Sequence, residues 1–388
     1  MPRVVLHLGL PKTGTSFLQS VLKENEQTLV GLGVHRPDAP GQNLFLAVLS
    51  LTERSDSWGR SAEAGQRAWK RVLADLGRHD GTTVISQETL CLAEPEQVKR
   101  ILADLGEAGV DEVDVVVTVR DPARQVPGEW QEGVKHGRRD TYAHFLEAVL
   151  GTPDDTWTDP ELRRHRRFWA GQDPVGVLDR WGADLAPERV HVVVSPPAGA
   201  PPDELWRRFA EVLGVPADAV TMPAAGVNVS LGAVQLEVLR RVNMRYTRRG
   251  REAAYGRVAK RIYAGKVLRG QRGAKVTLPA AHHDAAAALA AGWGRSIEER
   301  GWHVVGPLED LLPARTKGRD KAGDPGRVTR EEMLESALDA TASLLEEVER
   351  LSRENMRLRH RARTTPVRRA ASTAASRARG WWQERRPG

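Results

Sequence analysis

The chain has 388 residues, of which 40% are hydrophobic and 28% are charged, so it can bury the core of a large globular domain. Its net charge of +7 lies near the end: residues 313–388 hold 18 Lys/Arg and 11 Asp/Glu, which leaves 40 basic and 40 acidic groups elsewhere. A neutral body argues against a nucleic-acid-binding protein. The one cysteine, Cys91, excludes an intrachain disulfide framework and is expected to be buried rather than catalytic.

The segment Arg3–Leu8 predicts a strand rather than a secretory signal. No stretch of ~18 apolar residues follows it. We therefore expect a cytoplasmic protein without a transmembrane anchor, and a single cysteine suits that reducing compartment.

Short apolar runs alternate with helical patterns through the first 225 residues, which predicts an α/β fold with a mostly parallel sheet flanked by helices. The predicted strands, each nearly continuously apolar, are Val4–Leu8, Thr83–Ser86, Val113–Val119 and Val190–Val194. The predicted helices are Thr15–Lys23, Pro95–Leu105, Gln125–Lys135, Thr141–Val149, Asp203–Leu213, Ala233–Met244 and Ala285–Ala291. Ligands of such sheets bind beyond the carboxyl ends of the strands, so the residues after each strand are the first candidates for a site.

Composition divides the chain into four segments. Residues 1–312 carry the α/β pattern, and residues 313–328 are rich in Gly, Asp, Lys and Arg, which predicts a linker. Residues 329–361 have heptad character, which predicts a coiled-coil helix. Residues 362–388 form a basic Arg/Ala/Ser tail that we expect to be disordered.

The strongest motif follows the first strand and has the sequence GLPKTGTS at residues 9–16. A strand, a glycine-bearing turn and a helix start point several N–H groups and a positive helix end at one place, which suits a phosphate or sulfate. The spacing departs from the Walker A pattern, because Thr15 occupies the lysine position and the lysine is Lys12. A helix cap with a solvent-exposed lysine is the alternative interpretation. His7, inside the strand, is expected to be a packed core histidine.

The motif closely resembles the 5′-phosphosulfate loop of the sulfotransferases that use 3′-phosphoadenosine 5′-phosphosulfate (PAPS), in which a strand precedes P-K-[ST]-G-[ST]-[ST]. The resemblance covers about residues 3–225 and implies a P-loop, nucleotide-kinase-like sulfotransferase fold of the soluble, bacterial, carbohydrate-type kind. It implies PAPS as co-substrate and no metal. It also implies that Lys12 binds the 5′-phosphate and stabilises the bridging oxygen as the sulfuryl group leaves. Backbone and hydroxyl donors would come from Thr13, Gly14, Thr15 and Ser16.

A second motif, RDP at residues 120–122, ends a predicted strand and precedes a helix. In sulfotransferases a matching strand ends in R-[DN]-P, and its arginine holds the 3′-phosphate, so the resemblance implies that role for Arg120. The family usually has a serine eight residues later, whereas this sequence has Gly128. We expect Arg124 or a backbone amide to substitute for it. Pro127 and Gly128 also predict a kink or a late start of the helix.

Sulfuryl transfer needs a base to take the acceptor's proton. Glu88 directly follows a buried strand, as the base of some carbohydrate-type sulfotransferases does; a glutamate that satisfies a helix start is the alternative. His136 is the second candidate for the base. Trp130 and Trp157 are candidates for the wall of an acceptor pocket or for core packing. Residues 228–231 are candidates for nucleotide contacts or for a simple helix N-cap.

A heptad register holds over about three and a half repeats between residues 334 and 358. Position a carries Leu334, Thr341, Val348 and Asn355, and position d carries Ala337, Leu344, Leu351 and Leu358. Leucine at d with one asparagine at a predicts a parallel two-stranded coiled coil, and hence a homodimer. An amphipathic helix docked on its own domain is the alternative.

The end of the chain is strongly basic: residues 359–388 contain nine arginines and one acid, Glu384. This composition is typical of a solvated, disordered tail. The adjacent Trp381 and Trp382 also suit an anionic membrane surface as a partner, which would make the protein membrane-peripheral.

The resemblance of the two motifs implies a sulfotransferase that moves a sulfuryl group from PAPS to a hydroxyl or amine. The acceptor would be a small-molecule, carbohydrate or lipid-linked compound, with Lys12 and Glu88 as catalytic residues and no nucleic acid as partner. Two alternatives stay open. A nucleotide phosphotransferase conflicts with the missing Walker lysine, and a non-catalytic scaffold that dimerises through its coiled coil is favoured only by Gly128.

Overall fold

The computed structural model describes residues 2–37, 43–154, 156–223, 230–246, 252–314 and 323–364. In these ranges six strands form one sheet: β1 Arg3–His7, β2 Val34–His35, β3 Thr82–Ser86, β4 Glu112–Val119, β5 Val190–Val194 and β6 His303–Val305. Their order is β2-β3-β1-β4-β5-β6, and all neighbouring pairs are parallel. The predicted α/β class, with a parallel sheet flanked by helices, is confirmed.

The described α-helices are α1 Thr15–Glu24, α2 Glu26–Gly31, α3 Leu44–Leu51, α4 Ala62–Leu76, α5 Pro95–Glu107, α6 Pro122–Lys135, α7 Tyr142–Leu150, α8 Asp159–Gln172, α9 Pro174–Trp181, α10 Glu204–Leu213, α11 Ala233–Arg245, α12 Glu252–Tyr255, α13 His283–Glu299 and α14 Arg330–Thr364. A π-helix, Gly256–Val267, continues α12. No helix in the described part of the chain combines the length and the apolar character needed to cross a bilayer.

The sheet is buried on both faces because alternate side chains of each strand point to opposite sides. In β1, Val4 and Leu6 join a core with Trp69 of α4 and Trp181 of α9. Val5 joins the opposite core, which Phe209 of α10 also enters. Burial of both faces explains why the four predicted strands are almost continuously apolar.

The two edge strands have no counterpart among the predicted elements. β2 has two residues and β6 has three, too few for an apolar run to stand out from its surroundings. Their positions are set by parallel pairing, β2 with β3 and β6 with β5. Pairing with neighbouring strands therefore determines these two short strands, because their own sequences are too short to predict them.

Helix α6 starts earlier than its sequence predicts. Asp121 is its N-cap and accepts a hydrogen bond from the N–H of Ala123 at 2.8 Å, and Pro122 occupies the first helical position. The helix then continues without interruption through Pro127 and Gly128. The prediction of a late start at Gln125 is therefore wrong, because the N-cap at Asp121 and the burial of Val126, Pro127 and Trp130 hold the helix despite the donor that Pro127 lacks.

The first half of α14 docks on its own domain. Ala340 is fully buried in a third core formed with α6, α7, α11 and the π-helix, and Ala337 and Leu344 pack against it. The Ser336 hydroxyl donates to Gln271 Oε1 at 2.6 Å, and Lys266 pairs with Glu347 at 2.9 Å. Two of the predicted d positions thus contact the chain's own domain, so the prediction of a coiled coil over the whole of residues 334–358 is at odds with this docking.

The described end of the predicted linker also belongs to the domain. The Gly323 carbonyl accepts a hydrogen bond from Thr277 N–H at 3.2 Å, and Pro325 is buried. Residues 315–322 of the linker, and residues 365–388 with the two tryptophans of the tail, lie outside the described residues.

The second half of α14 keeps the heptad pattern on an exposed surface. Val348, Leu351 and Leu358 are 54%, 38% and 57% exposed, and Asn355 lies between them at position a. An apolar seam in water is stabilised when another apolar surface covers it. The homodimer therefore stays a prediction, and its contacts are expected between residues 348 and 361.

We expect Leu351→Asp with Leu358→Asp to abolish self-association, because unpaired carboxylates in one seam cost more than so short a coiled coil gains. Light scattering at micromolar concentration should show a dimer for the intact chain and a monomer for this variant. Met356→Asp is the matched control: Met356 is 61% exposed but lies at position b, off the seam. A monomeric intact chain would contradict the prediction.

Candidate active site

The loop after β1 is fixed by buried hydroxyl groups. Thr13 Oγ1 donates to the Leu10 carbonyl at 2.6 Å and lies 2.5 Å from Thr118 Oγ1, at the end of β4. Ser195 Oγ, just after β5, donates to the Thr13 carbonyl at 2.7 Å. The loop is thus tied to the carboxyl ends of two neighbouring strands. Thr13 is 1% exposed and its hydroxyl is bonded inside the protein, so its predicted role as a hydroxyl donor to a ligand conflicts with the structure.

Helix α1 begins directly after this loop, with Gly14 as its N-cap. The first N–H groups of a helix have no partner within it and carry the positive end of its dipole. Thr15 is buried and Ser16 is exposed, and both line the same cavity as Lys12 and Gly14. The predicted anion-binding loop therefore opens into a cavity.

This cavity has a volume of about 530 Å³ and lies at the carboxyl edge of the sheet. Among the described residues that line it are five cationic side chains and three carboxylates. The cations are Lys12, Arg120, Arg124, Lys135 and Lys275, and the carboxylates are Glu88, Asp121 and Asp310. An excess of positive charge in a concave site favours an anionic ligand.

Arg120 joins the two predicted motifs. Its Nη1 donates to the main-chain carbonyl of Lys12 at 3.0 Å, so the arginine after β4 contacts the loop after β1. Burial, together with the charge of Arg124, lowers the pKa of Arg120 to about 10, and the guanidinium therefore stays protonated at neutral pH. Arg124 is held in turn by Asp121 at 3.1 Å and by the Pro196 carbonyl at 2.9 Å.

Lys275 is a cavity residue that no sequence pattern singled out. It follows α11 and the π-helix, about 150 residues beyond the RDP motif, and is brought in by a bridge to Gly232. Burial, and then the charges of Arg120 and Arg124, lower its pKa, which places it within electrostatic range of both arginines. These three cations therefore line one cavity.

Lys12 lies across helix α6. A Cβ placed on Gly128 would lie 3.5 Å from both Cβ and Cγ of Lys12, so the lysine stem contacts α6 at this glycine. One turn further along α6, Glu132 accepts a hydrogen bond from the Lys12 ammonium at 3.0 Å. Because Gly128 has no side chain, the stem of Lys12 packs directly on the backbone of α6 at this position.

Several cationic side chains besides Lys12 contact the Glu132 carboxylate. Lys260 donates to it at 2.9 Å, Lys135 lies at 3.4 Å, and His136 lies at 3.1 Å. Burial alone would raise the pKa of Glu132, but the hydrogen bond from His136 and the charge of Lys12 hold it far below its usual range. His136, the second candidate for the base, is exposed and is engaged with Glu132 and Lys260; it is not among the described residues that line the cavity.

Glu88 lines the cavity beside the loop. It begins a short 3₁₀ helix, Glu88–Leu92, and its Oε2 accepts a hydrogen bond from Gln19 of α1 at 3.0 Å. A Cβ built on Gly9 would lie 3.2 Å from the Glu88 Cβ, so the carboxylate branch packs directly on the loop after β1. The structure therefore brings Lys12, Glu88 and Arg120 to one cavity.

Two further residues are structural, as expected. His7 is buried, and its Nδ1 lies 2.8 Å from Ser86 Oγ; burial lowers the pKa of its ring to about 4, so it is neutral at physiological pH. Cys91 is fully buried, and burial raises the pKa of its thiol to about 12, which removes the thiolate that nucleophilic chemistry needs.

Of the remaining candidates, the two tryptophans pack within the protein and the serine lies at the cavity. Trp130 is fully buried with its ring 4.9 Å from that of Tyr142, and Trp157 contacts His165. Both pack against the protein rather than lining the described cavity wall. Ser230 does line the cavity, whereas the N-cap of α11 is Gly232, so of the two alternatives for this serine the structure does not fit the N-cap. Asn228 and Val229 lie outside the described residues.

The fold and the site together define a parallel α/β protein with a cleft lined by five cationic side chains. No family model matches the chain, and no curated protein sequence does either. A sulfotransferase of solved structure from Alicyclobacillus acidocaldarius aligns at 15% identity over 65% of this chain and 97% of that chain, with a TM-score of 0.38. At that TM-score the likeness carries no weight, so the function is inferred from the residues of the site.

Gly14 gives a test of the loop geometry. Its φ is +111°, which L-residues rarely adopt, and a Cβ there would overlap Cδ2 of Leu205. We expect Gly14→Ala to cost more than ~1–2 kcal/mol of unfolding free energy and to weaken anion binding, since both strain and overlap apply. Gly199→Ala is the control, because Gly199 has φ +92° but open space around it. Urea unfolding should separate them; equal losses of stability would contradict the overlap.

Proposed function

We propose that this chain is a sulfotransferase that moves a sulfuryl group from PAPS to a hydroxyl or amine acceptor. The observation that carries the proposal is the 3.0 Å hydrogen bond from Arg120 to the Lys12 carbonyl, which unites the two motifs in one cationic cavity. PAPS carries a 5′-phosphosulfate and a 3′-phosphate, so it needs two cationic sites in one cleft. A cavity of about 530 Å³ also lies within the usual size range of nucleotide sites.

Each end of the donor would have its own residues. Lys12 and the N–H groups at the start of α1 would hold the 5′-phosphosulfate, supported by the exposed Ser16 hydroxyl. Arg120 would hold the 3′-phosphate, with Arg124 and Lys275 nearby. These two cations would supply what the family's serine supplies elsewhere, since position 128 is glycine and faces the Lys12 stem.

In the proposed reaction the acceptor's oxygen or nitrogen forms a bond to sulfur while the bond from sulfur to the bridging oxygen breaks. The acceptor's proton passes to the Glu88 carboxylate, and the donor leaves as 3′,5′-adenosine bisphosphate. Lys12 stabilises the negative charge that develops on the bridging oxygen. Gln19 holds Glu88 by one carboxylate oxygen, Oε2, which leaves the other oxygen for the proton.

The two alternatives predict different ligands. A phosphotransferase would prefer ATP or GTP, but Thr15 stands where a Walker lysine would bind their terminal phosphates. A non-catalytic scaffold would bind no nucleotide, but a cavity with five cations is hard to explain without an anionic ligand. The acceptor class and a cytoplasmic location stay predictions.

The donor assignment predicts a preference for the 3′-phosphate. The intact protein should bind 3′,5′-adenosine bisphosphate far more tightly than adenosine 5′-phosphate, ATP or GTP in calorimetry. Arg120→Ala should weaken the bisphosphate at least tenfold and barely change the monophosphate, because a charged hydrogen bond is worth roughly 1.5–3 kcal/mol. Lys275→Ala should act in the same direction. Arg67→Ala, on the exposed surface of α4, should change neither.

Equal binding of the bisphosphate and the monophosphate by the intact protein would exclude a 3′-phosphate site. Tighter binding of ATP or GTP would favour the phosphotransferase, and binding of none of these nucleotides would favour the scaffold.

The catalytic assignment predicts two distinct defects. Lys12→Ala should lower turnover by roughly 10²–10³, since it removes charge stabilisation of the leaving oxygen. Glu88→Gln should abolish transfer but keep the affinity for the bisphosphate, since only the proton acceptor is lost. Turnover is measured as conversion of PAPS to the bisphosphate with a panel of hydroxyl and amine acceptors. His136→Gln is the control and should keep its activity; a fully active Glu88→Gln would show that the base is another residue.

A further inference from the structure

Outside the cavity, three metal-ligating side chains converge at the edge of the sheet. His35 is the last residue of β2, Asp75 lies in the last turn of α4, and His79 lies just beyond that helix. The ligand atoms of the three residues all lie within 4.8 Å of one another. None of them is among the described residues that line the proposed active site.

Their distances suit one small divalent ion. His35 Nε2 lies 3.0 Å from Asp75 Oδ2, and His79 Nε2 lies 3.7 Å from Asp75 Oδ1. Metal–ligand bonds of about 2.0–2.2 Å in a tetrahedral site put neighbouring ligand atoms roughly 3.3 Å apart. The two separations run to different oxygens of Asp75, so binding requires the carboxylate and the exposed His79 ring to turn until one oxygen and both nitrogens face a common centre. The three ligand atoms already lie within 4.8 Å of one another.

The backbone holds these three residues together. β2 pairs with β3, with His35 opposite Thr83. The Thr82 N–H donates to the Gly33 carbonyl at 2.9 Å, which ties the segment after His79 to the residue before β2. The turn that ends α4 brings Asp75 and His79 together, since the Arg78 N–H donates to the Asp75 carbonyl at 3.0 Å and the His79 N–H to the Leu76 carbonyl at 3.4 Å. The ligands are thus positioned by main-chain bonds that do not depend on an ion.

The side chains are also accessible enough to exchange an ion. Asp75 and His35 are 14% and 18% exposed, whereas His79 is 40% exposed. The two imidazole rings stack with their centroids 3.7 Å apart and both turn Nε2 toward the one carboxylate. Two nitrogens and one oxygen form a borderline donor set that suits zinc, cobalt or nickel better than magnesium or calcium.

We propose that His35, Asp75 and His79 form a binding site for a divalent transition-metal ion of the zinc type. With three protein ligands, water completes the coordination. The ion joins edge strand β2 to helix α4, and because the ligands come together only in the folded chain, binding stabilises the fold. The site is independent of the proposed sulfuryl transfer.

The test uses the full-length chain, free of affinity tags and stripped with a chelator. Co²⁺ titration should give visible absorption bands that saturate at one equivalent, and Zn²⁺ should displace them. His79→Gln and Asp75→Asn should each weaken Co²⁺ binding at least tenfold, whereas His79→Cys, which keeps a ligand, should retain it. His360→Gln, at an exposed position on α14, is the matched control and should bind as the intact chain does.

A second measurement guards against misfolded variants. Zn²⁺ should raise the thermal unfolding midpoint of the intact chain and of His360→Gln but not that of His79→Gln, whose midpoint without metal should match the intact chain. His79 is the most exposed of the three ligands, so its loss should leave the fold intact. No saturable Co²⁺ binding would overturn the proposal. Binding that survives in both His79→Gln and Asp75→Asn would overturn it as well, because the ion would then lie elsewhere.

Discussion

The guanidinium of Arg120 donates to the carbonyl of Lys12, and the organisation of the cavity depends on this bond. It is possible because β1 and β4 are parallel neighbours, so their following loops emerge at one edge of the sheet. Thr13, Thr118 and Ser195 add hydroxyl bonds around the same turn. A cationic side chain thereby helps to fix the backbone of the loop after β1, so the residue proposed to hold the 3′-phosphate also positions the proposed 5′-phosphosulfate loop.

Much of this arrangement could be predicted from local sequence. The β1 loop and the RDP turn are contiguous motifs, and buried parallel strands leave apolar runs that periodicity detects. Glu88 could be found because it directly follows such a run. For these residues, chain order and spatial position agree, since each lies at the carboxyl end of its own strand.

Other parts could not be predicted, because tertiary contacts determine them. Glu132 interacts with Lys12 from a helix 120 residues away, and Lys275 enters the cavity through a single bridge to Gly232. The inward turn of the Thr13 hydroxyl depends on Thr118, which the motif does not contain. Gly128 is another such case. The sequence shows only that a serine is absent there, whereas the structure shows that the stem of Lys12 packs against this glycine.

The long helix α14 divides between two environments. One stripe of its first half completes the third core, while the second half shows apolar side chains to solvent. A heptad pattern does not distinguish between docking within the chain and pairing between chains, because both require the same spacing of apolar residues. Docking of the first half of α14 is decided by residues of α11 and the π-helix, which share a core with Ala337 and Ala340.

The resting place of Lys12 has a consequence for any anion that enters the cavity. Its ammonium already pairs with the Glu132 carboxylate at 3.0 Å, a carboxylate that Lys135 and Lys260 also contact, so an incoming phosphate competes with Glu132 for the lysine. Glu132 therefore acts as an internal competitor that weakens the hold on small anions such as inorganic phosphate or chloride. Only a ligand with further contacts elsewhere in the cleft recovers this loss, and the same carboxylate recaptures the lysine when a spent ligand departs.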